Sequence, residues 1–283
     1  MDIGIGLPGH APWTDGRHLV EWARRAEARG FATVAVSDRL RWTTPEPLMT
    51  LAAAAGATDR VRLLTSVLLA PLRTNHVLFA KTVATLDHLA GPDRLRLGLA
   101  AGFREDDFTA SGVDHADRGR AFAALLETLA EAAHDPGGLR PATPGGPPLL
   151  FGGTSRAALR RIATRGTGWL AGTATVDDLR AFTPGLRAAW TGAGRPGAPR
   201  VVVSAMYALG PHAASATARA IAPYYAFAGD EWVREGIAGT LTSPSRLAAA
   251  VTAFERAGCD ELILTGNDPD PAQVDLLADA LGR

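Results

Sequence analysis

The chain has 283 residues, of which 47% are hydrophobic, and this is enough apolar material for one sizeable core. Its 29 basic and 29 acidic residues give a formal net charge of +0, which excludes the electrostatic footprint of a protein that binds nucleic acid or an anionic membrane. Residues 1–6 lack the features of a signal peptide, and no run of about 18 apolar residues follows. We therefore expect a cytoplasmic protein that acts on a small molecule.

Several classes of catalytic site are missing from the sequence. Cys259 is the only cysteine, so the chain cannot form an internal disulfide or a multi-cysteine metal site. The seven histidines are not at metal-ligand spacing, and there is neither a nucleophile elbow nor a phosphate-binding lysine loop. These absences weigh against a metalloenzyme, a hydrolase and a kinase, and we expect no metal site.

Short apolar, β-branched runs alternate with amphipathic stretches along the chain, a pattern typical of repeated strand–helix units in an α/β fold. The predicted strands are 2–7, 33–37, 61–68, 95–99, 149–152, 168–171, 200–207 and 261–264. The predicted helices are 16–29, 47–57, 75–89, 118–134, 155–165, 175–191, 212–228, 243–257 and 271–281. The pattern alone permits an open doubly wound sheet, but the count of eight favours a closed (β/α)8 TIM barrel.

The chain is predicted to form a single domain over residues 1–283. Residues 208–258 hold two or three helical segments before the last strand, and no linker isolates them, so we interpret them as an elaborated helical connection. Residues 135–147 and 192–199 are rich in proline and glycine. Proline lacks the backbone N–H that a helix or strand needs, and glycine increases the conformational entropy that is lost when the backbone is ordered. We expect both to be loops at the bottom face of the barrel.

In such a barrel the active site forms at the carboxyl ends of the strands, and the fifth strand is followed by Gly152-Gly153-Thr154-Ser155. Glycines let the backbone approach a ligand closely, and the free N–H groups at a helix N-terminus attract phosphate. The run therefore predicts a phosphate cradle. Taken alone, it fits equally well a tight turn that leads into an N-cap.

The third and fourth strands carry weaker signals. Thr65 and Ser66 place hydroxyl groups in an apolar strand, where a bulge or unusual peptide geometry could shape a flat pocket wall. On the residues alone, simple tolerance of Thr and Ser in strands is the favoured interpretation. After the fourth strand, Ala101 and Gly102 leave room for a planar ring, while Arg104 is expected to pair with Asp106 or Asp107.

Two further candidates follow the first two strands. Asp38 ends the second strand, and His10, in a loop after the first, could move protons near neutral pH. A lone histidine in a glycine- and proline-containing loop is nevertheless more often solvated than catalytic.

Together these motifs resemble the luciferase-like (LLM class) superfamily of flavin-dependent monooxygenases and F420-dependent reductases and dehydrogenases. The resemblance covers nearly the whole chain. Each motif is a weak signal by itself, and the match depends on the order and spacing of all of them. The matching runs are 3–8, 23–38, 65–89, 94–108, 151–155 and 166–170.

The resemblance implies a barrel with the cofactor ring over the strand ends, its phosphate held by backbone groups such as those of Gly153, Thr154 and Ser155. It implies a non-proline cis peptide at Ser66-Val67, behind the ring. Members are often homodimers, and we expect one here. The residues that match cofactor-binding positions are Gly6, Asp38, Ser66, Val67, Ala101, Gly102, Gly152, Gly153, Thr154, Ser155 and Trp169.

The chain departs from its relatives at two positions. Many relatives have a catalytic histidine directly after the acidic residue of the second strand, where this chain has Arg39. The catalytic candidates are therefore Arg39 and His10. Arg39 would fix the substrate or polarise a carbonyl, and His10 would be the proton donor. Phe103 replaces a glutamate found in sugar-phosphate dehydrogenases of the family, which argues against that substrate class.

Three hypotheses about function follow from the resemblance. The preferred one is an oxidoreductase that uses coenzyme F420 for hydride transfer to or from a small organic substrate. The second is an FMN-dependent monooxygenase that uses O2 and a separate flavin reductase. The third is a non-catalytic flavin-binding protein.

Overall fold

The computed structural model describes residues 1–11 and 15–283. Eight parallel strands pair in chain order, and the last pairs back to the first, so the barrel closes as predicted. The strands are β1 (Asp2–Gly6), β2 (Thr33–Val36), β3 (Arg62–Leu69), β4 (Leu95–Ala100), β5 (Leu149–Gly152), β6 (Gly168–Leu170), β7 (Arg200–Tyr207) and β8 (Glu261–Gly266).

Helices surround the barrel, and their bounds lie close to the predicted ones. They are α1 (Arg17–Ala28), α2 (Pro47–Ala55), α3 (His76–Ala90), α4 (Glu105–Ser111), α5 (Arg118–Ala132), α6 (Arg156–Arg165), α7 (Val176–Gly192), α8 (Ala213–Tyr225), α9 (Asp230–Gly239), α10 (Pro244–Arg256) and α11 (Ala272–Ala280). Short 3₁₀ turns occupy Ala70–Leu72, His115–Asp117 and Ala226–Ala228. Among the described residues, no helix has the length and hydropathy needed to cross a membrane.

Two helices, α4 and α9, were not predicted. Helix α4 has seven residues and begins with three acidic ones, and α9 contains no buried residue. Helix α4 is therefore too short to show a helical period, and the inner face of α9, with Val233 and Ile237, is only partly buried. Together α8, α9 and α10 form the elaborated connection that was predicted between β7 and β8.

Side-chain caps explain where several helices begin. Ser155 Oγ accepts a hydrogen bond from the Ala158 N–H at the start of α6, and Ser243 Oγ accepts one from the Arg246 N–H at the start of α10. Such caps satisfy backbone donors that have no partner inside the helix. Two helices on different sides of the barrel thus start with the same serine cap.

Alternate residues of each strand point into the barrel, so the interior is layered. The middle layer is an apolar cluster that is separate from the core beneath the helices; its members are Ala35, Leu64, Leu150, Leu170, Val202 and Ile263. Two residues further towards the carboxyl end of each strand, the inward-pointing residues have small side chains. They are Gly6, Ser66, Ala100, Gly152, Ser204 and Thr265. We call this second set the mouth floor.

Charged side chains close the opposite end of the barrel. Glu261 is 0% exposed, and its Oε2 accepts hydrogen bonds from Arg96 at 3.1 Å and Arg200 at 2.9 Å. Arg200 also contacts the carboxylate of Asp2 at 2.8 Å, and the Thr33 hydroxyl donates to Glu261. The ionic network seals the barrel bottom, so the available opening is at the carboxyl end.

We expect Glu261→Gln to lower the free energy of unfolding by about 3 kcal/mol, because it leaves the largely buried Arg96 guanidinium without a carboxylate partner, while Arg200 keeps only Asp2. Urea unfolding of the purified protein measures the change. Asp177→Asn, which removes one partner of an exposed pair with Arg180, is the control and should have no measurable effect. Equal stability of the two variants would contradict a structural role for the network.

Candidate active site at the barrel mouth

Asp107 organises the segment that follows β2. It is 1% exposed, and it accepts hydrogen bonds from Arg39 Nε at 2.7 Å and from the backbone N–H groups of Leu40 at 3.1 Å and Arg41 at 2.8 Å. A buried carboxylate needs such donors to offset its lost hydration. Asp107, on α4, therefore fixes the position of the Arg39 guanidinium at the mouth. Arg104 pairs instead with Asp106.

Asp38 fixes the next segment along the barrel. Its Oδ2 accepts a hydrogen bond from the Leu69 N–H at 2.9 Å and pairs with the Arg73 guanidinium at 2.6 Å. Burial raises the pKa of the Asp38 carboxyl, while the Arg73 charge opposes the shift. Both bonds use Oδ2, so Oδ1 is the atom available for the cofactor contact that the sequence predicts.

His10 is buried at the mouth, in contact with the Tyr224 ring at 4.3 Å between centroids. Burial and the nearby Arg39 charge lower the pKa of His10 to about 4. The imidazole is therefore neutral at pH 7, and the expectation that it titrates near neutral pH is wrong. Its buried Nδ1 has no hydrogen-bond partner among the described residues. A neutral ring can still exchange a hydrogen bond with a ligand.

Tyr224 anchors the end of α8 over the mouth. Its ring makes edge-on contacts with His10 and with Trp42 at 5.4 Å, and the Arg39 guanidinium lies 5.4 Å from its centroid. Sequence reasoning missed this residue because it considered only segments that directly follow strands. The run Tyr224-Tyr225-Ala226-Phe227, aromatic and inside the long connection, was the available signal.

A trough runs across the mouth from α6 towards α8. One cavity of about 420 Å³ lies beside Thr154 and Trp169, and a second of about 390 Å³ reaches Ser204 and Tyr225. The two cavities share three lining residues, so they adjoin one another, and we call the pair the trough. The shared residues are Thr173, Ala174 and Asp178.

The α6 end of the trough is built as a cradle. Gly153 has a φ of +95°, which favours glycine, and the Trp169 Nε1–H donates to the Gly153 carbonyl at 3.2 Å. Thr154 and Ser155 are exposed at the N-terminus of α6. Ser155 also caps this helix, which confirms the interpretation of the motif as a capped turn, and the phosphate cradle stays a prediction.

The mouth floor brings together residues from several strands. The Ser66–Val67 peptide bond is cis, and the register between β3 and β4 shifts between Thr65 and Leu68, as the sequence suggested. Ser66 Oγ lies 3.4 Å from Ser204 Oγ on β7. A Cβ atom on Gly152 would lie 3.2 Å from the Ala100 Cβ and 3.5 Å from Val67 Cγ1. Larger side chains would therefore fill this floor.

The remaining predicted residues lie at other parts of the mouth. A Cβ atom on Gly6 would lie 2.3 Å from Thr265 Oγ1, so this glycine is required by packing between β1 and β8. Gly102, with a φ of +76°, follows Ala101 in the turn after β4. Gly102, Phe103, Arg39 and Tyr224 line a smaller pocket of about 110 Å³.

The whole-chain comparison agrees with this geometry. The family model described as luciferase-like monooxygenase matches residues 1–274. The chain belongs to the luciferase-like monooxygenase family. Members of this family are oxidoreductases, and the relatives below include both F420-dependent enzymes and monooxygenases.

One curated relative is an F420-dependent glucose-6-phosphate dehydrogenase of Kribbella flavida, 36% identical over 135 residues. That alignment covers 46% of this luciferase-like chain and 40% of the relative, so it spans less than half of either protein. The fold resembles monooxygenase RslO1 from Streptomyces bottropensis, with a TM-score of 0.81, 22% identity and coverage of 99% and 98%. It also resembles an F420-dependent secondary alcohol dehydrogenase solved with an F420–acetone adduct, with a TM-score of 0.79, 18% identity and the same coverage.

The low pKa of His10 predicts a pH-dependent stability. Between pH 7 and pH 5 the unfolded chain gains a proton on His10 that the folded protein does not bind, so stability falls as the pH falls. We expect a loss of about 2 kcal/mol over this interval that is absent in His10→Gln. Urea unfolding at a series of pH values measures it. The exposed His212→Gln variant is the control and should keep the wild-type profile; a His10→Gln profile parallel to wild type would refute the assignment.

Proposed function

We propose that this luciferase-like protein binds coenzyme F420 in the trough and exchanges a hydride with a small organic substrate. The observation that carries the proposal is the pair of adjoining cavities that extends from the exposed N-terminus of α6 to Ser204, whose hydroxyl lies 3.4 Å from that of Ser66. Such a shape suits a molecule with a phosphate at one end and a flat ring at the other.

The residues present fit this cofactor. Gly153, Thr154 and Ser155 would hold the phosphate, and Ser66, Val67 and Gly152 would lie against the ring. The deazaflavin ring would supply the hydride chemistry. A larger side chain at position 152 would intrude on this floor, since a Cβ atom on Gly152 would already contact Ala100 and Val67.

The chain's own contribution is to bind, orient and exclude water. Asp107 fixes Arg39, and the Arg39 guanidinium lines the smaller pocket, where it would orient or polarise a substrate oxygen. Neutral His10 would exchange a hydrogen bond rather than donate the proton of an imidazolium ion. Tyr224 covers this region and limits access of water.

Two exposed arginines favour F420 over FMN. Arg156 and Arg160 lie one turn apart on α6, directly beyond the cradle. Coenzyme F420 carries glutamate carboxylates beyond its phosphate, whereas FMN ends at the phosphate. The two guanidinium groups are therefore positioned to pair with the additional carboxylates of F420.

Titration of the purified protein with coenzyme F420 and FMN, followed by ring fluorescence, tests the cradle. We expect Ser155→Asp to weaken binding of both cofactors by about tenfold or more, because it keeps the helix cap but adds a negative charge beside the phosphate. Ser243→Asp makes the same change at the cap of α10 and should alter neither affinity more than about twofold. Equal effects of the two variants would place the phosphate elsewhere.

The same titration tests the cofactor choice. Arg156→Ala combined with Arg160→Ala should weaken F420 binding by about tenfold and leave FMN binding unchanged, so FMN serves as the internal control. If FMN binds more tightly than F420 to the wild-type protein, and the double variant changes neither, the F420 assignment fails.

The description of the matching family supports a second candidate, an FMN-dependent monooxygenase that is supplied by a separate reductase. Substrate-dependent oxygen uptake with reduced FMN, and none with reduced F420, would establish that alternative over ours. Cofactor binding without turnover of any member of a broad substrate panel would favour a non-catalytic flavin-binding protein instead.

A further inference from the structure

Four aromatic side chains form a continuous row along the mouth: Phe103, Phe227, Tyr225 and Trp232. We call this set the aromatic row. Successive ring centroids are 5.9, 6.5 and 6.1 Å apart, and successive ring planes are inclined by 42°, 29° and 40°. The rings come from the turn after β4, from the end of α8 and its 3₁₀ turn, and from α9. Three separate segments thus contribute rings that neighbour one another in stacked or tilted pairs.

The aromatic row differs from the anchored ring of Tyr224. Tyr224 meets His10, Trp42 and Tyr225 nearly edge-on, at interplanar angles of 80°, 89° and 77°, as rings do when they pack into a closed cluster. In the row, by contrast, Phe103 is 66% exposed, Phe227 44% and Trp232 52%. Exposed rings that lie close together form an apolar surface on which a flat apolar ligand can stack.

The charges beside the aromatic row are already neutralised. Arg39 pairs with Asp107 at 2.7 Å, and Arg104 pairs with Asp106 at 2.5 Å. The Arg104 guanidinium also lies 3.7 Å from the Phe227 ring centroid, where it covers one aromatic face. Because each guanidinium has a carboxylate partner, a phosphate here would meet two negative charges as well as two positive ones. A neutral ligand avoids this repulsion.

The aromatic row is continuous with the proposed cofactor site. Tyr225 lines the 390 Å³ end of the trough and also the 110 Å³ pocket that contains Phe103 and Phe227. A molecule that stacks on Phe227 would therefore lie beside the end of the trough that we assign to the cofactor ring. This position is the one that a hydride acceptor or donor requires.

We propose that the aromatic row binds the substrate, and that this substrate is a neutral, planar aromatic compound rather than a sugar phosphate. That the bound compound is a substrate rests on the proposed function. That such a compound binds at all does not, because Phe103 and Phe227 line the smaller pocket and not the trough.

Equilibrium dialysis of the full-length protein without cofactor tests the binding. The probes are 2-naphthol, its saturated and non-planar counterpart decahydro-2-naphthol, and glucose 6-phosphate. We expect 2-naphthol to bind at least tenfold more tightly than either of the others, because only it combines a flat aromatic face with no charge. Similar affinity for the saturated alcohol, or tighter binding of glucose 6-phosphate, would overturn the proposal.

Matched variants locate the probe. Phe103→Leu and Phe227→Leu retain apolar bulk but remove the ring, so each should weaken 2-naphthol binding by about fivefold and leave decahydro-2-naphthol within about twofold. Leu139→Ala changes an exposed leucine of the loop before β5 and serves as the control. If neither phenylalanine variant affects 2-naphthol, the aromatic row is not the binding surface.

The same variants separate this proposal from the proposed function. Titration with F420 should give the wild-type affinity in Phe103→Leu and Phe227→Leu, since neither residue lines the trough. Intact cofactor binding with no preference for 2-naphthol would refute the substrate class alone. Preference for 2-naphthol in a protein that binds neither F420 nor FMN would refute the proposed function and leave the aromatic site in place.

Discussion

The size of the inward-facing side chains is the constraint on which the mouth depends. Each strand contributes alternate residues to the barrel interior, and the apolar middle layer fills its own level completely. At the next level the inward side chains are small: Ser66 and Ala100 stay partly exposed, while a Cβ atom on Gly6 or Gly152 would meet a neighbouring side chain. The barrel is consequently filled by large side chains at its middle layer and ends above it in a floor of small residues.

Polar residues around this floor are held by partners from other segments. Asp107 on α4 orients Arg39 after β2, and Asp38 after β2 fixes the turn that follows β3 through Leu69 and Arg73. Each buried carboxylate thereby offsets its desolvation with donors and also connects two loops. Tyr224 connects the long β7–β8 connection to the same loops. Rigid placement of a guanidinium and of aromatic rings at one mouth follows from these contacts.

Much of the barrel was predictable because its signals are local. β-branched runs, helical periodicity and a capping residue such as Ser155 are properties of neighbouring residues, and they indicated eight strands and most helices correctly. The cradle after β5 and the cis peptide at Ser66–Val67 were expected from resemblance to the luciferase-like family. Helices α4 and α9 were not predicted: α4 has only seven residues, and α9 is a ten-residue helix with no fully buried side chain.

By itself, the sequence determined the order of strands and helices, the absence of net charge, the family and the small residues at the strand ends. Only the tertiary structure decided that the buried Asp107 holds Arg39, that His10 is buried and neutral, and that Tyr224 and Trp232 reach the mouth. The reason is that burial, pKa and ring contact depend on residues far apart in the chain. Local periodicity contains no information about which distant side chain supplies the partner.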